Sequence, residues 1–128
     1  MATQGKSKVV SIVDDDDLMR SALEGLLKAV GLPARAFASA EDFLQSARLD
    51  DSSCVIADVQ MSAMSGLDLL THMRAQGYAV PFIFITAFPE ESVRARAMKA
   101  GAIGFLAKPF AGTALISCVE AAVNRYQG

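Results

Sequence analysis

Four consecutive aspartates at positions 14–17 directly follow one apolar run of the sequence, and Asp58 directly follows another. Two further polar side chains, Thr86 and Lys108, stand at the ends of later apolar runs in the same way. Short apolar runs of this kind are typical of strands buried in a parallel sheet, whose carboxyl ends lie along one edge. The spacing therefore predicts that carboxylates, a hydroxyl and an ammonium meet at one edge of a sheet.

Asp14, Asp15 and Asp58 would bring three carboxylates into one small region. Two like charges about 4 Å apart repel by roughly 4 kcal/mol at an effective dielectric constant near 20, so such a cluster requires compensating cations. Lys108 supplies one positive charge, and a divalent ion supplies the rest. Carboxylate oxygens with a main-chain carbonyl and waters suit Mg²⁺. A strand-end aspartate can instead be a helix cap or turn residue, which suffices for the last two of the four consecutive aspartates, since these are expected in the first turn of the first helix.

Transfer of a phosphoryl group to a carboxylate requires the same set of carboxylates, ammonium and hydroxyl. A carboxylate such as Asp58 can attack phosphorus and form an aspartyl phosphate. The reaction depends on in-line positioning and on neutralising the equatorial oxygens of the phosphoryl group. Mg²⁺, the Lys108 ammonium and the Thr86 hydroxyl can each serve one of those oxygens. We therefore predict that the chain accepts a phosphoryl group on Asp58.

Five short runs with strand character alternate with five helical patterns along the chain. The runs cover residues 9–13, 34–38, 54–57, 82–85 and 103–107. Regular alternation of strands and helices implies right-handed crossovers and a parallel sheet with helices on both faces. The predicted fold class is therefore α/β, a flavodoxin-like doubly wound sheet of five strands in the order 2-1-3-4-5 with five helices. The second run is the weakest and is expected at the edge of the sheet.

Cap and breaker residues bound the helical patterns. Ser39 is expected to cap the second helix, and Gly31, Gly77 and Gly101 to end the first, third and fourth. The fourth pattern, at 90–100, has only two large apolar residues and should be the most weakly anchored. The apolar stripes predicted for the first and fifth helices are Leu18, Ala22, Leu23, Leu26, Leu27 and Val30, and Leu115, Val119, Ala122, Val123 and Tyr126.

Length and composition favour one domain over residues 1–128, with residues 1–7 as a polar N-terminal tail. The hydrophobic fraction of 52% is ample for a packed core, and the charged fraction of 20% excludes a disordered chain. The net charge of −2 gives no general attraction to nucleic acid or anionic membrane. No apolar run reaches the roughly 20 residues of a membrane span, and residues 1–8 do not form a signal peptide. Cys54 and Cys118 are expected to be buried thiols rather than a disulfide, which favours the cytoplasm.

Four short motifs at the strand ends together resemble the receiver domain of two-component response regulators. They are Val13-Asp14-Asp15 followed by Met19-Arg20, Asp58-Val59-Gln60-Met61 continuing to Met64 and Gly66, Thr86-Ala87, and Lys108-Pro109-Phe110. The resemblance extends over essentially the whole chain. Ser62 stands where the family usually has proline, which predicts a less rigid loop after Asp58.

The resemblance implies a role for each residue of the acidic cluster. Asp58 matches the phosphoacceptor, and Asp15, helped by Asp14, matches the metal-binding pair. The main-chain carbonyl of Gln60 matches the third protein ligand of Mg²⁺. Lys108 matches the phosphate-binding lysine, and the Lys108-Pro109 bond is expected to be cis.

The resemblance also implies a conformational response and signalling partners. Thr86 matches the switch hydroxyl and Phe105 the aromatic switch position, although plain core packing explains Phe105 equally well. The expected phosphodonor is a sensor histidine kinase or a histidine phosphotransfer protein, and the expected target is a protein that binds helix 4, strand 5 and helix 5. Such a bacterial, cytoplasmic regulator would catalyse only its own phosphorylation and dephosphorylation, so it is not classed as an enzyme.

Three other functions compete with this interpretation. An Mg²⁺-dependent phosphohydrolase with an aspartyl nucleophile would need a second acid two residues after Asp58, where this chain has Gln60. An interaction module that no longer takes phosphate is disfavoured by the intact set of acids, threonine and lysine. A DNA-binding regulator would need residues beyond Gly128, so a stand-alone receiver and a fragment of a longer regulator both stay open. His72 is expected on the surface, outside the cluster.

Overall fold

A computed structural model describes residues 9–46 and 49–125 of the chain. Three predictions concern positions outside these residues. They are the polar tail at 1–7, the absence of a signal peptide at 1–8 and the placement of Tyr126 on the fifth helix.

Strands and helices alternate along the described chain as predicted. The strands are β1 (Val9–Val13), β2 (Ala34–Phe37), β3 (Ser52–Asp58), β4 (Phe82–Thr86) and β5 (Gly104–Ala107). The α-helices are α1 (Asp17–Ala29), α2 (Ala40–Gln45), α3 (Gly66–Ala75), α4 (Glu91–Lys99) and α5 (Gly112–Arg125). A short 3₁₀ helix, Leu49–Asp51, precedes β3.

The strands form one parallel sheet in the order β2-β1-β3-β4-β5, which confirms the predicted α/β doubly wound fold. β3 and β4 are longer than predicted and end with Asp58 and Thr86 themselves. The reason is that Asp58 pairs with Ile85 and Thr86 pairs with Ala107, so both polar residues still belong to the sheet ladder. β2 and β5 are each one residue shorter than predicted.

Two apolar clusters pack against opposite faces of the sheet. α1 and α5 contribute to one cluster, whereas α2, α3 and α4 contribute to the other. Every residue of β1, β3 and β4 is buried, as expected for strands covered on both faces. The four residues of β2 are only half-buried, which agrees with its position at the edge.

The apolar stripe predicted for α1 is only partly correct. Leu23 and Leu27 are buried, but the side chains at the two ends of the stripe, Leu18 and Val30, are 81% and 44% exposed. Three residues separate the carboxyl end of β1 from the start of α1, so the first turn of α1 extends past the strands that would otherwise cover it. Asp16, predicted within the first turn, is instead the N-cap and accepts hydrogen bonds from two main-chain N–H groups.

The fourth helix is weakly anchored, as predicted. Ala97 is its only buried residue among those described, while Val93 is half-buried and Met98 is exposed. Gly101, which follows the helix, has a φ of +111° that favours glycine. The prediction for the two cysteines is half correct, because Cys54 is buried but Cys118 is only half-buried.

Candidate functional site

Three carboxylates meet where the winding of the sheet reverses, between β1 and β3. Asp14 follows β1, Asp15 comes next, and Asp58 ends β3. One oxygen from each carboxylate lies within 4.8 Å of the other two. Asp14 is fully buried and Asp58 is 7% exposed, while Asp15 is exposed. The structure therefore brings together the acidic residues that the strand ends predicted.

Lys108 places its ammonium between two of these carboxylates. Its main-chain N–H donates to the carbonyl of Thr86 at 2.8 Å, which ties the end of β5 to the end of β4. Its Nζ donates to Asp58 Oδ2 at 3.1 Å and lies 3.5 Å from Asp14 Oδ2. The Lys108-Pro109 bond is cis, as predicted.

Burial and the neighbouring charges shift two pKa values in this cluster. Burial raises the pKa of Asp14, and the nearby Asp58 raises it further, against the opposing effects of the Asp16 N–H and Lys108. Burial alone would lower the pKa of Lys108. The hydrogen bond to Asp58 and the charge of Asp14 outweigh that effect, so the pKa of Lys108 is raised. Lys108 is therefore a firmly protonated cation at neutral pH.

The oxygens of the cluster fit a hard divalent cation. Asp14 Oδ1 accepts a hydrogen bond from the Asp16 N–H at 2.9 Å, and Asp58 Oδ1 accepts one from the Gln60 N–H at 3.0 Å. Asp14 Oδ2 is buried and has no hydrogen-bond partner among the described residues. The Lys108 ammonium 3.5 Å away makes a long ion pair with this oxygen, which leaves it free to accept a shorter ligand, and an all-oxygen donor set matches the preference of Mg²⁺.

The loop from β3 to α3 approaches the main chain of Asp58 closely. The Gly66 N–H donates to the carbonyl of Val59 at 3.0 Å. A Cβ added at Gly66 would lie 2.4 Å from the main-chain oxygen of Asp58. Ala63 in this loop has a φ of +64°, an uncommon conformation for a residue with a side chain. The loss of rigidity expected from Ser62 stays a prediction.

Thr86 and Phe105 lie on the neighbouring strands β4 and β5. Thr86 is fully buried, and its hydroxyl oxygen accepts a hydrogen bond from the Phe88 N–H at 3.0 Å. Phe105 is half-buried and packs against the cluster that includes Phe84, its neighbour across the ladder. These positions agree with the predicted pair of switch residues and equally with core packing of Phe105.

Arg20 belongs to the first of the four sequence motifs and lies beside the site, but no role was predicted for it from the sequence. Arg20 donates from Nη1 to the main-chain carbonyl of Asp14 at 2.7 Å, and its Nη2 pairs with the carboxylate of Asp17. The spacing of three residues between Asp17 and Arg20 is a recognisable signal for an ion pair on a helix. The bond to the Asp14 carbonyl has no such signal, because it depends on how the preceding loop folds back.

Known proteins resemble this chain in sequence over most of its length. Residues 10–120 match the response regulator receiver domain. The chain is 41% identical over 124 residues to Nodulation protein W of Bradyrhizobium diazoefficiens, covering 96% of this chain and 55% of that protein. It is 38% identical over 120 residues to Transcriptional regulatory protein FixJ of Azorhizobium caulinodans, covering 94% and 57%. The chain thus spans about half the length of the curated relatives it matches.

Solved structures share the fold. FixJ-N superposes with a TM-score of 0.85 at 31% identity, covering 97% of this chain and 99% of that one. The response regulator StyR gives a TM-score of 0.87 at 36% identity, covering 94% and 61%. None of the helices described here has the length and apolar character needed to cross a membrane. From its strand order, its acidic cluster and these matches, we conclude that the chain belongs to the family of response regulator receiver domains of two-component systems.

Proposed function

We propose that this receiver domain, taken as residues 1–128, accepts a phosphoryl group on Asp58 in an Mg²⁺-dependent reaction. The observation that carries the proposal is the position of the Asp58 carboxylate. It lies 3.1 Å from the Lys108 ammonium and within 4.8 Å of two further carboxylates, Asp14 and Asp15. A carboxylate so surrounded can be both a nucleophile and, once phosphorylated, part of a site that neutralises three phosphoryl oxygens.

In the proposed reaction, a carboxylate oxygen of Asp58 forms a bond to phosphorus as the bond from phosphorus to the donor nitrogen of a phosphohistidine breaks. Before the reaction the Lys108 ammonium donates a hydrogen bond to Asp58 Oδ2. In the proposed reaction it donates that hydrogen bond to a phosphoryl oxygen instead. The Thr86 hydroxyl already accepts the Phe88 N–H, which leaves its own hydrogen to donate to a second oxygen. The protein thereby supplies positioning and charge rather than a general base.

The proposed Mg²⁺ site consists of oxygen atoms from the residues after β1 and around the end of β3. Asp14, Asp15 and Asp58 would hold Mg²⁺, with the main-chain carbonyl of Gln60 as a further ligand. When bound, Mg²⁺ supplies positive charge to the third phosphoryl oxygen. The buried Asp14 Oδ2 makes a long ion pair with Lys108 at 3.5 Å but has no hydrogen-bond partner among the described residues, which supports a second cation beside it.

The proposed donor is a sensor histidine kinase or a histidine phosphotransfer protein, and the proposed output is a change in the surface formed by α4, β5 and α5. α4 buries only Ala97 among its described residues, so a small energetic bias can shift it. Thr86 and Phe105 would connect the phosphoryl group to this surface. We place the domain in the cytoplasm, where its two free cysteines would stay reduced. Beyond its own phosphorylation and dephosphorylation we propose no enzymatic activity.

Intact-mass spectrometry after incubation with Mg²⁺ and acetyl phosphate tests the proposal. The wild-type chain is expected to gain the mass of one phosphoryl group, which acid or hydroxylamine removes. Asp58→Asn, which keeps the side-chain volume but removes the nucleophile, is expected to gain nothing. Equal incorporation in both proteins would overturn the proposal.

A further inference from the structure

Arg20 on α1 fastens the start of the loop that carries the acidic cluster. Its Nη1 donates to the main-chain carbonyl of Asp14 at 2.7 Å in a partly buried position, and its Nη2 pairs with Asp17. The side chain of Arg20 is 19% exposed, whereas that of Asp17 is 88% exposed. One guanidinium therefore spans the loop from the residue after β1 to the first residue of α1.

We propose that Arg20 is a positioning residue for the Mg²⁺ site, acting through the main chain at Asp14 rather than by touching the metal or the phosphoryl group. The inference rests on the proposed function, since it concerns the same metal site.

The hydrogen bond from Arg20 to the Asp14 carbonyl affects the metal site because that carbonyl is part of a rigid peptide unit. The carbonyl of Asp14 belongs to the rigid plane that continues to the nitrogen and Cα of Asp15. Asp15 is exposed, so packing does not fix the direction of its carboxylate. Asp14 itself is buried and its Oδ1 is held by the Asp16 N–H. The guanidinium of Arg20 therefore sets the orientation of the Asp15 carboxylate relative to the Asp14 carboxylate, which is already fixed.

A second role for the guanidinium, as a simple positive charge near the aspartates, predicts the opposite behaviour. A positive charge close to a cation site weakens cation binding, so removing it should tighten binding of Mg²⁺. Loss of positioning instead weakens binding, and residues that orient metal ligands typically contribute about 10–100-fold to metal affinity. Arg20→Lys separates the two roles, because lysine keeps the charge but lacks the rigid planar guanidinium whose Nη1 holds the Asp14 carbonyl.

The chain contains matched controls for the ion pair. Arg94 and Glu91 on α4 form a pair with the same spacing of three residues, at 3.9 Å, with both side chains largely exposed. Arg94→Gln removes an arginine from such a pair without touching the acidic loop. Asp17→Asn removes the exposed partner of Arg20 and leaves the Asp14 carbonyl bond in place.

The test is a titration of the full chain with MgCl₂, followed by the amide NMR signals of residues 14–16 and 58–60. We expect Arg20→Lys and Arg20→Gln both to weaken Mg²⁺ binding about tenfold or more. Asp17→Asn and Arg94→Gln should stay within about twofold of the wild type, as exposed ion pairs contribute little. Wild-type affinity in Arg20→Lys, or tighter binding in Arg20→Gln, would overturn the proposal.

Phosphorylation by acetyl phosphate supplies a second readout that a purely structural role would not produce. In the Arg20 variants the Mg²⁺ concentration for half-maximal rate should rise, while the rate at saturating Mg²⁺ returns towards that of the wild type. A rate that excess Mg²⁺ does not restore, in variants with wild-type melting temperatures, would contradict a positioning role. If the wild-type chain binds Mg²⁺ and is phosphorylated, and the Arg20 variants do both equally well, this inference alone is wrong. A wild-type chain that does neither defeats the proposed function as well.

Discussion

Replacing Gly66 by alanine would force a methyl group against the main chain of the proposed phosphoacceptor. The added Cβ would lie 2.4 Å from the carbonyl oxygen of Asp58 and 2.9 Å from Cε1 of Phe84. The first obstacle is backbone on a buried strand, and the second is a fully buried ring. Neither can rotate away, so the start of α3 or the end of β3 must move.

The expected cost follows from overpacking. Extra methyl groups in a packed core cost about 1–3 kcal/mol, and a contact this short with backbone belongs at the upper end. Alanine gains about 0.5–1 kcal/mol over glycine in a helix interior, and at most that much at Gly66, the first residue of α3, which leaves a net loss of at least about 2 kcal/mol. For a chain of this size that corresponds to a melting temperature lower by about 6–10 °C. Displacement of Asp58 should also slow its phosphorylation.

Gly25→Ala is the matched control, because Gly25 lies inside α1 and an added Cβ there meets no atom within 4 Å. The control should melt about 2–4 °C higher than the wild type, since only the helix-propensity gain applies. Thermal unfolding followed by circular dichroism, together with the rate of phosphorylation by acetyl phosphate, measures both effects. A Gly66→Ala chain as stable and as reactive as Gly25→Ala would refute the close approach.

Two other predictions follow from the site and the core. Thr86→Ala should still accept phosphate at Asp58. It should, however, lose the change in amide NMR shifts that beryllofluoride induces over residues 87–110. A response equal to that of the wild type would exclude the Thr86–Phe105 connection. At pH 8 iodoacetamide should label the half-buried Cys118 and leave Cys54 intact until urea unfolds the chain, because burial raises the pKa of Cys54 to about 12. Its thiolate is then about a thousandfold scarcer than for an ordinary thiol, and equal labelling of both would contradict this burial.

Much of the site was predictable because it depends on strand ends. The period of the apolar runs predicts the parallel sheet, and a parallel sheet aligns the carboxyl ends that bear Asp58, Thr86 and Lys108. Strand boundaries were off by one or two residues, since polar residues such as Asp58 remain in the ladder when their backbone has partners.

What the sequence did not predict depends on how loops and helix ends fold back in space. The bond from Arg20 to the Asp14 carbonyl and the contact of Gly66 with Asp58 both cross loops whose path no periodicity encodes. The exposure of Leu18 has the same origin, because a helical stripe does not tell where the underlying sheet ends.

Reduction of the phosphorylated chain with borohydride tests the central claim most directly. Borohydride converts an acyl phosphate to an alcohol, so the phosphorylated aspartate would be read as homoserine by peptide mass spectrometry. After treatment with acetyl phosphate and Mg²⁺, we predict homoserine at position 58 alone, and none when Mg²⁺ is chelated. Homoserine at Asp14 or Asp15 in place of Asp58, or equal conversion without Mg²⁺, would contradict the account.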